Sequence, residues 1–279
     1  MRLRLCLSVL CAAWLLTVPR AMCCTIFMAE SDGAVLAGNN EDYYLDAKPL
    51  MWVMPAKKED HGRICFGFDE GMFSRFAQGG VNDAGLFFDA AVTPPGPEPS
   101  RNGKIKAPSN MGDRMLADCA TVEEAIAWLE RRHLTLLRGS HLLLADAGGD
   151  AAVVELVEGE MRVFRKDGSC LAATNFSLAN PGAGNYPCLR YALVTEVLGG
   201  DEATTVDSFT KILQACAAPR TPIGDSGREG GTLYSNVYDL TNQVIHLYRK
   251  GGFDDPIRID VRAYLERGVE TYRLDEMDE

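Results

Sequence analysis

About ten short β-type runs follow one another along the chain, most of them separated by turns bearing Gly, Asn or Asp, and they are interrupted only by helices that come in groups. That succession restricts the fold more than any other feature. Strands joined by tight turns pair with their sequence neighbours, whereas a parallel sheet needs a crossover after nearly every strand. The order therefore predicts an α+β chain with antiparallel sheets and segregated helices. A first hairpin is expected from strands at 24–30 and 34–37 around the turn Glu30-Ser31-Asp32-Gly33. Further strands are expected at 63–68, 77–81, 86–91, 141–147, 151–157, 161–165 and 171–176, with a last hairpin at 232–238 and 243–249.

Helices are predicted at 122–132, 188–198 and 206–216. In the first of these, Thr121 and Glu124 have the spacing of a capping box, and Ile126 and Leu129 share a face. The stretch 94–110 is rich in Pro, Gly and Lys and reads as a surface loop that borders a pocket. Hydrophobic residues make up 47% of the 279, enough for a core, and 28 Lys+Arg against 39 Asp+Glu give a net charge of −11. So acidic a chain, with no evident basic patch, is a poor partner for nucleic acid.

Arg2 and Arg4 precede an uncharged, mainly apolar run at 5–18, followed by Pro19, Arg20 and Ala21. That pattern is a secretory signal peptide, and a run this short falls below the roughly 20 residues of a membrane-spanning helix. A retained signal anchor is the alternative. Cleavage after Cys23 leaves one domain, 24–279, exported to the periplasm or the medium, with no membrane segment and Cys24 first. Six cysteines then remain, Cys24, Cys65, Cys119, Cys170, Cys188 and Cys216, with no CxxC and no Cys/His spacing suited to zinc. No metal site is expected, and any disulfide connectivity is left open.

The four histidines, at 61, 133, 141 and 246, lie in no catalytic motif. A cysteine at the start of a mature chain needs none, because its own α-amine, with a pKa near 8, can accept the thiol proton. The competing reading is a buried or disulfide-bonded cysteine beside a cleavage site.

The run Cys24-Thr25-Ile26-Phe27, the hairpin turn and then Gly38-Asn39-Asn40-Glu41-Asp42-Tyr43 resemble the opening of the N-terminal-nucleophile (Ntn) amide hydrolases. That group includes penicillin V acylase, choloylglycine hydrolase and the acyl-CoA:6-aminopenicillanate acyltransferases. Gln78–Leu86, Ala173-Thr174-Asn175-Phe176, Cys188-Leu189-Arg190-Tyr191 and 232–239 extend the resemblance over most of the mature chain. It implies a four-layer αββα sandwich of two antiparallel sheets between helix layers. It implies catalytic roles for Cys24 as nucleophile, Asp42 beside its amine, Asn175 as oxyanion donor and Arg190 near the site, with Arg228 competing for that last place. Asn82, with a backbone N–H, would support the oxyanion, and Asn39 and Asn40 would support substrate or oxyanion. Asn39 stands where these families often carry arginine. The expected activity is hydrolysis of a small-molecule amide, an N-acyl amine, an N-acyl amino acid, penicillin V or a bile-salt conjugate, without metal or organic cofactor. Acyl transfer to an amine, or an idle binding protein on the same fold, are the alternatives, and a homo-oligomer is left open.

Overall fold

The computed structural model describes residues 24–71, 74–200 and 204–277; the expected signal peptide, 1–23, lies outside them. Two antiparallel sheets form the body. The first holds β1 (Thr25–Ser31), β2 (Ala34–Tyr44), β12 (Cys170–Ala173), β14 (Glu229–Asp239), β15 (Val244–Arg249) and β16 (Ile257–Asp260). Their order is β12-β1-β2-β14-β15-β16, with β13 (Thr221–Pro222) beside β14. The second holds β3 (Pro49–Met54), β4 (Arg63–Phe68), β5 (Gly79–Asn82), β6 (Phe87–Val92), β9 (Ser140–Ala145), β10 (Ala151–Val157), β11 (Glu160–Arg165) and β17 (Glu270–Arg273). It runs β11-β10-β9-β6-β5-β4-β3-β17. A small parallel pair, β7 (Ile105–Lys106) and β8 (Arg132–His133), stands apart.

Alternation of side chains across each strand decides the layering. In β1, Ile26 and Met28 enter the core between the sheets with Phe66, Phe87, Leu143 and Tyr238. Phe27 and Ala29 point the other way, onto α3 (Leu189–Leu198) and α4 (Val206–Cys216), where Val194, Phe209, Ile212 and Leu213 cover them. On the far side of the second sheet, Cys65, Phe88, Leu142 and Leu144 pack against α1 (Met111–Asp118) and α2 (Val122–Glu130). The result is the four-layer αββα sandwich, and its three cores explain why many strands are apolar on both faces.

Several elements depart from the sequence reading. β2 runs seven residues beyond 37, to Tyr44. β3 was not foreseen, because Pro-Leu-Met-Trp-Val-Met, buried on both faces, shows no alternation. Unforeseen too are α1, β16, β17 and α5 (Val261–Arg267). α2 ends at Glu130, and its capping box is incomplete: Thr121 Oγ1 accepts from Glu124 N at 3.2 Å, but the Glu124 carboxylate takes Ala120 N (2.7 Å). α3 starts one residue after Cys188, which stands at the N-cap position without a capping side-chain bond, and α4 has the expected bounds. All six described cysteines are free thiols. Among the described residues no helix is long and apolar enough to cross a membrane.

Candidate active site

Cys24 directly precedes β1, and the β1–β2 register that sets Thr25 opposite Asn40 carries on to bring Cys24 against Glu41. It is 6% exposed, at a cavity of about 590 Å³ whose apolar walls include Phe68, Phe76, Phe88, Met111 and Leu142 and whose polar side includes Glu41 and Asp42. A space of that size takes a ligand of a few tens of heavy atoms.

Arg190, in the first turn of α3, organises this corner. Its Nη1 donates to the Cys24 carbonyl oxygen and to Thr25 Oγ1, both at 2.6 Å, and its Nη2 donates to Asn175 Oδ1 at 3.2 Å. The planar guanidinium suits such divided donation. Asn175 lies just past β12, and its Nδ2 donates to Val92 O at 2.9 Å, tying the first sheet to β6 of the second. That bond commits one of the two Nδ2 protons. Asp42 lies near the end of β2, where Thr232 Oγ1 donates to its Oδ1 at 2.6 Å and itself accepts from Ala218 N at 2.7 Å. A bulge in β14 between Thr232 and Tyr234 marks the same place. The other carboxylate oxygen of Asp42 is buried without a protein partner.

The electrostatics are dominated by burial. The Cys24 thiol is pushed well above its usual range, first by desolvation and then by the negative charges of Glu41, Asp42 and Asp89. Burial raises Asp42 to about 7 against the opposing pull of Thr232 and Arg190. Burial, then the charge of Asp42, raises Glu41 to about 8. Asp89, fully enclosed, is raised by burial and by Glu41. A resting thiol in this setting keeps its proton.

Cys24, Asp42, Asn175 and Arg190 are thus brought together, and the remaining expected residues are not. The Asn82 carboxamide is consumed in its own turn: Nδ2 donates to Leu116 O and Cys119 O, and Oδ1 accepts from Ala84 N and Leu86 N. It holds α1 to the β5–β6 hairpin and offers nothing to an oxyanion. Asn40 faces the helix layer, bonded to Leu213 O and Ser235 Oγ. Asn39 is enclosed opposite Ile26 and Asn236 and does not line the cavity. Arg228 is drawn elsewhere, paired with Asp46 and Glu70 and stacked 3.7 Å over the Tyr44 ring, so Arg190 is the arginine at the site. His141 is buried in β9, where desolvation lowers it to about 4 and keeps it neutral.

Two members of the corner were not singled out in the sequence, Glu41 and Asp89. Asp89 interrupts an apolar run, and it fits because the residue across the ladder is Gly79, where a Cβ would lie 2.0 Å from Asp89 Oδ2. A charge inside a buried strand opposite a glycine was the signal, visible once the register is known.

Comparison with known proteins bears on the fold and the family. No curated protein sequence matches the chain. Among solved structures, a mutant of conjugated bile acid hydrolase from Clostridium perfringens superposes with a TM-score of 0.69 at 16% identity, over 89% of this chain and 96% of that one. Penicillin V acylase from Agrobacterium tumefaciens gives 0.67 at 18% identity, over 90% and 91%. The Caenorhabditis elegans ortholog of N-acylethanolamine-hydrolyzing acid amidase gives 0.55 at 15%, over 90% and 99%. These likenesses concern the fold. The sequence family described as acyl-coenzyme A:6-aminopenicillanic acid acyl-transferase matches residues 28–251, most of the sandwich, and the chain belongs to that family, on the Ntn-hydrolase fold.

Proposed function

We propose that the chain is an exported cysteine amidase: with residues 1–23 removed, Cys24 becomes the first residue and cleaves a linear amide C–N bond through an acyl-thioester. Family membership gives the class, an enzyme of linear amide C–N bonds. The observation that carries the residue roles is the Arg190 fork, which joins the Cys24-Thr25 pair to Asn175, remote from it in sequence, with Cys24 itself lining an apolar cavity.

A thiol kept protonated by burial needs a base of its own, and a freed α-amine supplies one on the same residue. The buried, unpartnered oxygen of Asp42 suits the ammonium that forms. Sγ attacks the carbonyl carbon and its proton passes to the amine; Asn175 and main-chain N–H groups bear the oxyanion. The C–N bond breaks as the ammonium returns that proton to the leaving nitrogen. Water, deprotonated by the same amine, then opens the thioester and releases the acid and the thiol. The apolar walls favour an apolar acyl group, a feature compatible with N-acyl amines, bile-salt-like conjugates or penicillin V. The family's description favours a second outcome for the same thioester, capture by an amine acceptor in place of water.

Intact-mass analysis of the exported protein should give an N-terminus at Cys24, and Cys24→Ala should abolish turnover of a dodecanoyl p-nitroanilide. An active Cys24→Ala protein, or an active protein whose Cys24 nitrogen is still in a peptide bond, overturns the reading. Adding hydroxylamine during turnover separates the outcomes, since hydroxamate exceeding free acid marks a transferase.

A further inference from the structure

A second cavity, of about 660 Å³, adjoins the first, and Ser109 and Leu136 line both. Its wall carries Arg101, Lys104, Lys106 and His133. The chain as a whole is at −11, yet residues 99–112 hold three basic side chains and no acidic one. Read linearly, these cations belong to an ordinary solvated loop. The fold makes them a wall: Lys106 pairs with His133 in the β7–β8 ladder, Ile105 N donates to Arg131 O at 3.0 Å, and His133 Nε2 lies 2.9 Å from Pro99 O. Among the described residues no ion pair neutralises Arg101, Lys104 or Lys106. Glu98, 3.8 Å from His133 Nε2, is already engaged by Arg138 at 3.0 Å and Thr135 at 3.3 Å.

The two cavities differ in character. The first is lined by Glu41, Asp42 and mainly apolar side chains, with no lysine or arginine among its described walls, so it offers an anion no cationic partner. The basic chamber adjoins this apolar-walled cavity where Ser109 and Leu136 line both. We infer that this chamber is a subsite for an anionic group, a carboxylate, sulfate or phosphate ester, at the far end of a substrate's apolar chain. The inference rests on the amidase reading for its use in turnover, while binding can be tested without it.

The experiment compares dodecanoyl p-nitroanilide with its ω-carboxylated counterpart on the mature wild type and on an Arg101→Ala, Lys104→Ala, Lys106→Ala triple variant. Wild type should show a KM about tenfold lower for the carboxylated anilide, equivalent to roughly 1.4 kcal/mol, and added salt should erode that preference. The triple variant should lose the preference with kcat on the uncharged anilide unchanged. Equal KM values in wild type, or a preference surviving the triple change, overturns the subsite. Calorimetric binding of monomeric dodecyl phosphate to Cys24→Ala, weakened about tenfold by the triple change, reads the chamber even if no anilide is turned over. Failure of all anilides with intact dodecyl phosphate binding thus condemns the amidase reading alone. Sedimentation with phosphatidylglycerol vesicles, lost in the triple variant while dodecyl phosphate fails to bind, assigns the cations to a lipid surface and overturns the proposal.

Discussion

Arg190 shows how much of the site hangs on one side chain. It holds the carbonyl of Cys24 and the amide oxygen of Asn175 at once, so on the proposed mechanism it ties the attacking residue to the oxyanion donor. A lysine ammonium carries its three donors on one nitrogen and cannot span acceptors that Arg190 reaches through two separate nitrogens. Arg190→Lys should lower kcat/KM by at least about tenfold, mainly in kcat, while Asn175→Ala should lower kcat by about 10²–10³; steady-state kinetics on the uncharged anilide check both. Cys24, Asp42, Asn175 and Arg190 were singled out through motifs resembling a family, and the structure sets them in one corner. Asn82 misled, since an Asn before a Gly-Leu turn looks the same whether its amide points at substrate or closes its own hairpin. Glu41 and Asp89 were illegible because their importance lies in a register that no local pattern encodes.

Among the elements, α1 was the costliest omission, as it forms part of the cavity wall through Met111 and Gly112. Its sequence, Met-Gly-Asp-Arg-Met-Leu-Ala-Asp, carries an interior glycine that counts against a helix. The glycine has a tertiary reason: a Cβ at 112 would stand 2.0 Å from Phe88 Cζ. Gly112→Ala should therefore drive the Phe88 ring toward the cavity or α1 off the sheet, costing about 1–3 kcal/mol. Chemical denaturation measures that loss, and KM rising with acyl-chain length, relative to wild type, measures the lost space. The hairpins were legible because turn residues announce them, and α4, expected with the same bounds, is capped by Thr205, whose Oγ1 accepts from Ser208 N at 3.1 Å. β3 was not, since burial on both faces removes the alternation by which a strand is recognised.

For the molecule as a whole, the buried carboxyls couple stability to pH. Glu41 rises from 4.5 to about 8 on folding, so the folded chain binds more protons than the unfolded one between those values. Its contribution is complete below the unfolded value and is lost as pH climbs through the folded one; Asp89 acts in the same direction. Melting temperature should fall between about pH 5 and pH 8, on the order of 1 kcal/mol per unit for each group, and Glu41→Gln should flatten that slope in a thermal-shift series. The antiparallel sandwich as a class could be foretold from strand order, but the interior acidity could not, because charge counts record amount and not depth.

The absence of any bridge among the six described thiols has its own consequence. Among the described residues no disulfide braces the sandwich, so a reductant has no staple there to remove. Four of these sulfurs are buried, whereas Cys170 and Cys188 are partly open to solvent, so an added oxidant or alkylating agent has more than one thiol to find on the folded chain.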